Sequence, residues 1–192
     1  GKICPTAARN QWSPSPGCTS VCKRCPIVLL WLPDMKPFRP SQLPLSVQAP
    51  RKTEVRTQFS ALCYRVSRGQ TEVLMITSRR SKRWIIPKGW PIKGKTPAQS
   101  ALREAWEEVG VRGDASDYCL GVYSYVKTSG PKRPLHCVAM VYPVRVRALS
   151  RDFPESDERR RKWFPAKKAA ARVDEPELAR ILKTFDARRL RS

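Results

Sequence analysis

Thr96 and Gly110 mark both ends of one helix, and no other feature of the chain constrains its fold so firmly. Thr96 can supply the N-cap oxygen, Pro97 suits the first helical position, and Gln99 stands three residues after the cap to complete a capping box. Gly110 then closes the helix as a left-handed C-cap. Between these ends Ala98, Ala101, Leu102, Ala105, Trp106 and Val109 recur at i, i+3, i+4 and i+7, the pattern of a face turned to a core. A helix with one apolar face needs a second layer to cover it.

The flanking sequence supplies strands for that layer. Phe59 to Val66 alternates as a strand, Val73 to Thr77 is a second, and Trp84-Ile85-Ile86 a short third ending at Pro87. Tyr118 to Val126 and Cys137 to Val146 are two more, joined by the turn-rich Thr128-Ser129-Gly130-Pro131. A last helix is predicted from Pro176 to about Arg188, capped by Asp174, with Leu178, Ile181, Leu182 and Phe185 on one face. Strands and helices mixed in this order, with antiparallel hairpins, predict an α/β layered domain.

Composition sets the boundaries of that domain. Residues 1–50 hold nine of the 18 prolines and no lasting periodicity, so they read as a Pro-rich, disordered N-terminal arm, with residues 51–192 as the folded domain. Cys4, Cys18, Cys22 and Cys25 in the arm invite a zinc reading. No second CxxC follows, however, and an unstructured arm is the expectation. The chain opens on Gly, and Met35 stands just before the pattern improves, so no functional reading rests on the first 34 residues. Cys63, Cys119 and Cys137 fall singly in strand-like surroundings, as reduced cysteines do. The longest apolar run, Ile27 to Leu32, is far short of the roughly 20 residues of a membrane span. No membrane partner is expected, and the chain is read as cytoplasmic. Its oligomeric state is not legible.

The polar face of the first helix carries Arg103, Glu104, Glu107 and Glu108. Glu104 lies i, i+3 from Glu107 and i, i+4 from Glu108, so three carboxylates project into one patch and repel. They also sit near the helix C-terminus, where the macrodipole disfavours anions. In a chain with 38 Lys and Arg against 16 Asp and Glu, two penalties on one site suggest a cation that cancels them. Oxygen-only ligands select a hard ion, Mg²⁺ or Mn²⁺, completed by waters and a substrate phosphate. A solvated acidic face is the plain alternative.

The stretch Gly89 to Lys95, then seven residues, then Arg103-Glu104-Ala105-Trp106-Glu107-Glu108-Val109-Gly110-Val111 resembles the Nudix box, G-x5-E-x7-R-E-U-x-E-E-x-G-U with U aliphatic. Ala105 is accepted as a small U. Lys95 departs from the box, standing where the family has Glu, which removes one acid from the rim of the site and bears on the number of metals bound. The resemblance implies an α/β/α sandwich around a mixed β-sheet and hydrolysis of a diphosphate linked to another moiety. It also implies roles. Glu107 and Glu108 would be metal ligands and Glu104 a further ligand or the base that activates water. Arg103 would orient the carboxylates, and Gly89 would let the loop backbone approach a phosphate.

Over roughly residues 58 to 186 the chain resembles more narrowly the diphosphoinositol polyphosphate phosphohydrolase branch, through Cys63-Tyr64-Arg65, Ser78-Arg79, Arg83-Trp84-Ile85-Ile86-Pro87 and Arg161-Lys162-Trp163-Phe164. That branch also includes enzymes cleaving dinucleoside polyphosphates, so the implied partner is a small polyphosphorylated substrate. Charge agrees, since Arg65, Arg79, Arg80, Lys82, Arg83 and Lys88 could surround an anion as charge-assisted donors. A solvated basic surface is the alternative for each singly, and the expected reading of the run Arg159-Arg160-Arg161-Lys162. His136, the only histidine, is read as a strand or turn residue.

The net charge of +22 also suits a secondary reading, an RNA 5′-end pyrophosphohydrolase or a basic nucleic-acid-binding protein on the same scaffold. Residues 51–192 hold 32 of the 38 basic residues, so the arm is not the main source of charge. Neither is any aromatic-rich RNA motif visible.

Overall fold

The computed structural model describes residues 42–45, 55–127 and 134–190. Strand β1 (Arg56–Ser67) is the centre of a mixed sheet. It turns into β2 (Gln70–Thr77) through Arg68 and Gly69, both at positive φ as a two-residue hairpin requires. Short β3 (Trp84–Ile85) pairs with β2, and β4 (Lys88–Gly89) returns antiparallel to the first half of β1. Helix α1 (Pro97–Val109) follows, then β5 (Val111–Ala115), β6 (Gly121–Lys127) and β7 (Leu135–Leu149). The long β7 runs parallel to β1 and carries β6 and β5 antiparallel along successive parts of its other edge. Strand β8 (Arg161–Pro165) pairs with β2, and α2 (Ala166–Ala170) and α3 (Pro176–Thr184) complete the domain.

Strand alternation divides the core into two layers. Phe59, Ala61, Cys63, Leu74 and Ile76 turn to Ala98, Ala101, Ala105 and Val109 of α1. Leu62, Val73 and Met75 turn the other way, to Ala169 of α2 and Leu178 and Leu182 of α3. Helices on both faces of a mixed sheet make the expected α/β/α sandwich. Alanines along the buried face of α1 let its backbone lie close to the sheet, which matters for the site below.

The first helix forms between its expected ends, with both capping-box bonds made and Gly110 left-handed at φ 71°. The last helix does not. It stops at Thr184, whose hydroxyl donates back to the carbonyls of Arg180 and Ile181, and Phe185 is extended and packs edge-on against Tyr64. Its N-cap is Glu175 rather than Asp174, because the Asp174 carboxylate is taken by Arg83 at 2.5 Å. Within the stretch read as an arm, residues 42–45 are fastened to the domain. Leu45 exchanges backbone bonds with Lys95 and Gly94, and the Gln42 side chain reaches Tyr142, Asp117 and the Ala98 amide. The rest of the arm, its cysteine cluster and the turn at 128–131 lie outside the described residues. Among the described residues no helix is long and apolar enough to cross a membrane.

Candidate active site at the end of helix α1

The functional face of α1 meets the sheet at β4. Strand β4 pairs with β1 at Phe59 and Ser60, and this brings its backbone onto the last turns of the helix. Gly89 lets the Glu104 carboxylate lie against the strand: a Cβ there would overlap that carboxylate and push it aside. The Lys88 amide donates to Glu108 Oε2 at 3.0 Å, tying strand to helix. Arg103 Nε holds Glu107 Oε1 at 2.5 Å, an i, i+4 pair on α1.

Glu108 is not on an open acidic face. Its side chain is 9% exposed and pairs at 2.5 Å with Arg159, itself 5% exposed. Arg159 also donates to Glu155 at 2.6 Å and to the Thr77 carbonyl. Arg161 donates to the Val109 carbonyl, satisfying one of the acceptors at the end of α1. The reading of Arg159 and Arg161 as solvated surface is therefore corrected. Both answer the anionic, carbonyl-rich end of the helix, where a cation is most favourable. No local pattern signals this, because Arg159 meets Glu108 across 51 residues of chain. Glu155, which the sequence reading missed, enters the patch by the same segment, its amide bonded to the Glu107 carbonyl.

Four carboxylates, Glu104, Glu107, Glu108 and Glu155, thus gather around two arginines. Glu104 has no ion-pair partner among the described residues. Burial, then repulsion from Glu108, Glu107 and Glu155, push its pKa up to about 7, against a smaller opposing pull from Arg159. Burial also raises Glu108, with Arg159 and Lys88 opposing. As positioned, no three His, Cys, Asp or Glu side chains among the described residues converge closely enough to hold an ion, since arginines engage Glu107 and Glu108. By donor chemistry the patch nonetheless fits a hard divalent cation. Its donors are all oxygens, and Glu104 is the one of the four carboxylates with no ion pair among the described residues.

The predicted substrate contacts scatter. Arg65 is corrected: it bonds Glu72 across the β1–β2 hairpin at 2.8 Å and lies over Trp163, six residues along β1 from Phe59, the partner of Gly89. At about 3.3 Å per strand residue that is about 20 Å along the strand from the pairing with Gly89. Arg79 faces Glu155 at 3.8 Å and Glu158 at 3.5 Å, on the rim of the patch. Arg83 is held by Asp174 and, at 3.5 Å, by Glu175. Lys88 is half-buried over the Tyr125 ring, and burial lowers its pKa against the pull of Glu108 and Glu175. Lys95 is exposed beside the N-terminus of α1, nine residues before Glu104, or about 14 Å along the helix axis.

The chain is similar to several known proteins. Human diphosphoinositol polyphosphate phosphohydrolase 3-alpha is 33% identical over 116 residues, covering 59% of this chain and 66% of that protein. Mitochondrial Nudix hydrolase 12 of Arabidopsis thaliana is 31% identical over 129 residues, covering 63% of this chain and 64% of the relative. The chain thus spans just under two thirds of the length of these curated relatives. A solved Nudix hydrolase from Nitrosomonas europaea superposes with a TM-score of 0.53 over 72% of this chain and 97% of its own at 15% identity, a likeness of fold. The model of the NUDIX domain matches residues 56–185, from the start of β1 to just past α3, and the chain belongs to that family.

Proposed function

We propose that this chain is a metal-dependent pyrophosphohydrolase, cleaving a phosphoanhydride bond in a small, phosphate-dense substrate. The observation that carries the reading is the seating of Gly89 against Glu104, with Glu107 and Glu108 on the same helix end. Glu107 and Glu108, with Glu104 beside them, would hold Mg²⁺ or Mn²⁺. Bound there, the ion would polarise phosphate oxygens and acidify water. Arg103 keeps Glu107 turned to the patch, while Arg159 and the Lys88 amide keep Glu108 in place. Glu104, not consumed by an arginine, takes the proton from the attacking water. Gly89 lets the Glu104 carboxylate lie against the β4 backbone, and Arg79 on the rim of the patch would be a cation available to a phosphate. The human relative is named for acting on diphosphoinositol polyphosphates, which supports that substrate class or the related dinucleoside polyphosphates here.

Phosphate-release assays on a diphosphoinositol polyphosphate, a dinucleoside polyphosphate and a 5′-triphosphorylated RNA, with Mg²⁺ and with Mn²⁺, test the reading. Turnover of either small substrate supports it. Turnover of the RNA alone moves the assignment to RNA ends. Salt-sensitive RNA binding with no hydrolysis of any of the three overturns it in favour of a binding protein.

A further inference from the structure

Leu102 and Trp106 belong to the apolar face of α1, yet the sheet does not cover them. Ala98, Ala101, Ala105 and Val109 are at most 1% exposed, whereas Leu102 and Trp106, one helical turn apart and the two bulkiest members of the face, stay half-buried. The largest apolar side chains gain most from leaving water, so a helix that only packs on its sheet buries them first. These two instead line an open groove of about 550 Å³ between α1 and β5, with Val111 beside them and Lys95, Arg103 and Arg112 around them.

Charge and shape decide what suits the groove. None of the residues that line it is acidic. Arg103 is held by Glu107, but Lys95 and Arg112 are exposed and have no ion pair among the described residues. The Arg112 guanidinium lies 5.2 Å from the Trp106 ring centroid, an arginine and tryptophan pair of the kind that dominates binding at protein interfaces, and it keeps N–H groups for an acceptor. One wall, β5, pairs with β7 along one edge and with no strand along the other among the described residues, so an extended chain in the groove can bond to it. Residues 42–45 already dock a short chain segment at the start of this helix, through Leu45 to Gly94 and Lys95 and through Gln42 to the Ala98 amide. Neither the N-terminal stretch of this chain nor a second copy matches the charge of the rim, since residues 1–50 hold six basic residues and one acidic residue and the whole chain carries +22.

We propose that the groove between α1 and β5 docks an acidic, extended peptide segment of a partner protein. An apolar residue of the segment covers Leu102 and Trp106, and carboxylates on either side of it meet Lys95 and Arg112. Lys95 precedes Trp106 by about 16 Å at the helical rise, a distance that about five extended residues span at about 3.3 Å each, so the two carboxylates stand about five positions apart. The groove uses none of the carboxylates assigned to catalysis, and its occupancy does not rest on the hydrolase reading above.

Fluorescence anisotropy on the full chain tests this with a labelled, end-capped peptide of sequence Glu-Ser-Leu-Phe-Ser-Glu. Lys95→Glu/Arg112→Glu, both at exposed positions, should weaken binding at least about tenfold, as reversal of charge-assisted contacts does. Leu102→Gln, which alters no charge, should weaken it several-fold, with a melting curve to show that the variant folds. A control, Lys167→Glu/Lys168→Glu, makes the same change of charge on α2 across the sheet and should bind within about twofold of the parent. Equal loss in the control would mean a general attraction of acidic peptides to a basic chain and would overturn the site. Parental binding by Lys95→Glu/Arg112→Glu, or no binding by the parent, overturns it as well. A hexauridine probe that loses as much as the peptide on the same changes makes the groove a nucleic-acid site and overturns the peptide assignment. Sedimentation of the parent as a dimer that Leu102→Gln converts to monomer places a second copy in the groove and overturns it too.

Discussion

Replacing Arg159 by Met removes a guanidinium that is 5% exposed and makes three contacts, to Glu108, to Glu155 and to the Thr77 carbonyl. The methionine keeps much of the packing volume and none of the donors. Glu108, 9% exposed, then retains only the Lys88 amide at 3.0 Å as a bonded partner among the described residues. Breaking a buried ion pair by taking away one partner costs about 3–5 kcal/mol, because the remaining charge stays desolvated. For a domain of this size 1 kcal/mol is worth roughly 2–4 °C, so the melting temperature should fall by roughly 6–20 °C. Thermal and urea unfolding of the parent, Arg159→Met, Glu108→Gln and the double variant measure this. If the cost comes from the stranded carboxylate, the double variant should recover a large part of it, with a coupling of about 0.5–3 kcal/mol. A loss below about 1 kcal/mol in Arg159→Met would mean that the pair behaves like an exposed one, and would refute the placement of Arg159 inside the site.

Three further outcomes follow from the geometry. Gly89→Ala pushes aside the Glu104 carboxylate, the movable end of a flexible side chain, so stability should change by less than about 1 kcal/mol in unfolding assays while kcat falls sharply; a variant with parental kcat would show that Glu104 need not lie against β4. Arg65→Ala loses an exposed pair with Glu72 and a stacked contact on Trp163, so stability should drop by about 1 kcal/mol and KM should not move; a several-fold rise in KM would return Arg65 to the substrate site. Lys95→Glu places a negative charge beside the α1 N-terminus, far from the carboxylates, and should be neutral or stabilising by about 0.3–1 kcal/mol with KM unchanged; a large rise in KM at saturating Mg²⁺ would make Lys95 a phosphate contact.

What the sequence made legible was what short-range chemistry decides. The ends of α1 were readable because Thr96, Pro97, Gln99 and Gly110 act within a turn of the groups they satisfy. The cluster of Glu104, Glu107 and Glu108 was readable because helical spacing alone brings them together. The partners of those groups were not. Arg159 and Glu155 lie in a charged run that locally reads as solvent-facing, and only the return of the chain along β8 brings them under the end of α1. β8 itself is five residues with charged ends, too short and too polar to stand out. Arg65 shows the opposite failure. A basic residue beside a strand has the right charge for phosphate, but which end of the sheet it occupies depends on the pairing of Phe59 with Gly89. Likewise Asp174 carries good capping chemistry and is diverted by Arg83.

The central claim is that the carboxylates at the end of α1 hold a divalent ion that hydrolysis requires. Its most direct test is phosphate release by the parent and by Glu107→Gln across a Mg²⁺ titration, with melting curves on both proteins. Outer-shell partners of metal sites are worth roughly 10–100-fold, so loss of a ligand should lower turnover by at least about 100-fold. Because Glu107 is about one third exposed and its partner Arg103 about half, the melting temperature should barely change. Parental turnover in Glu107→Gln, or turnover by the parent that persists under excess chelator, would contradict the account.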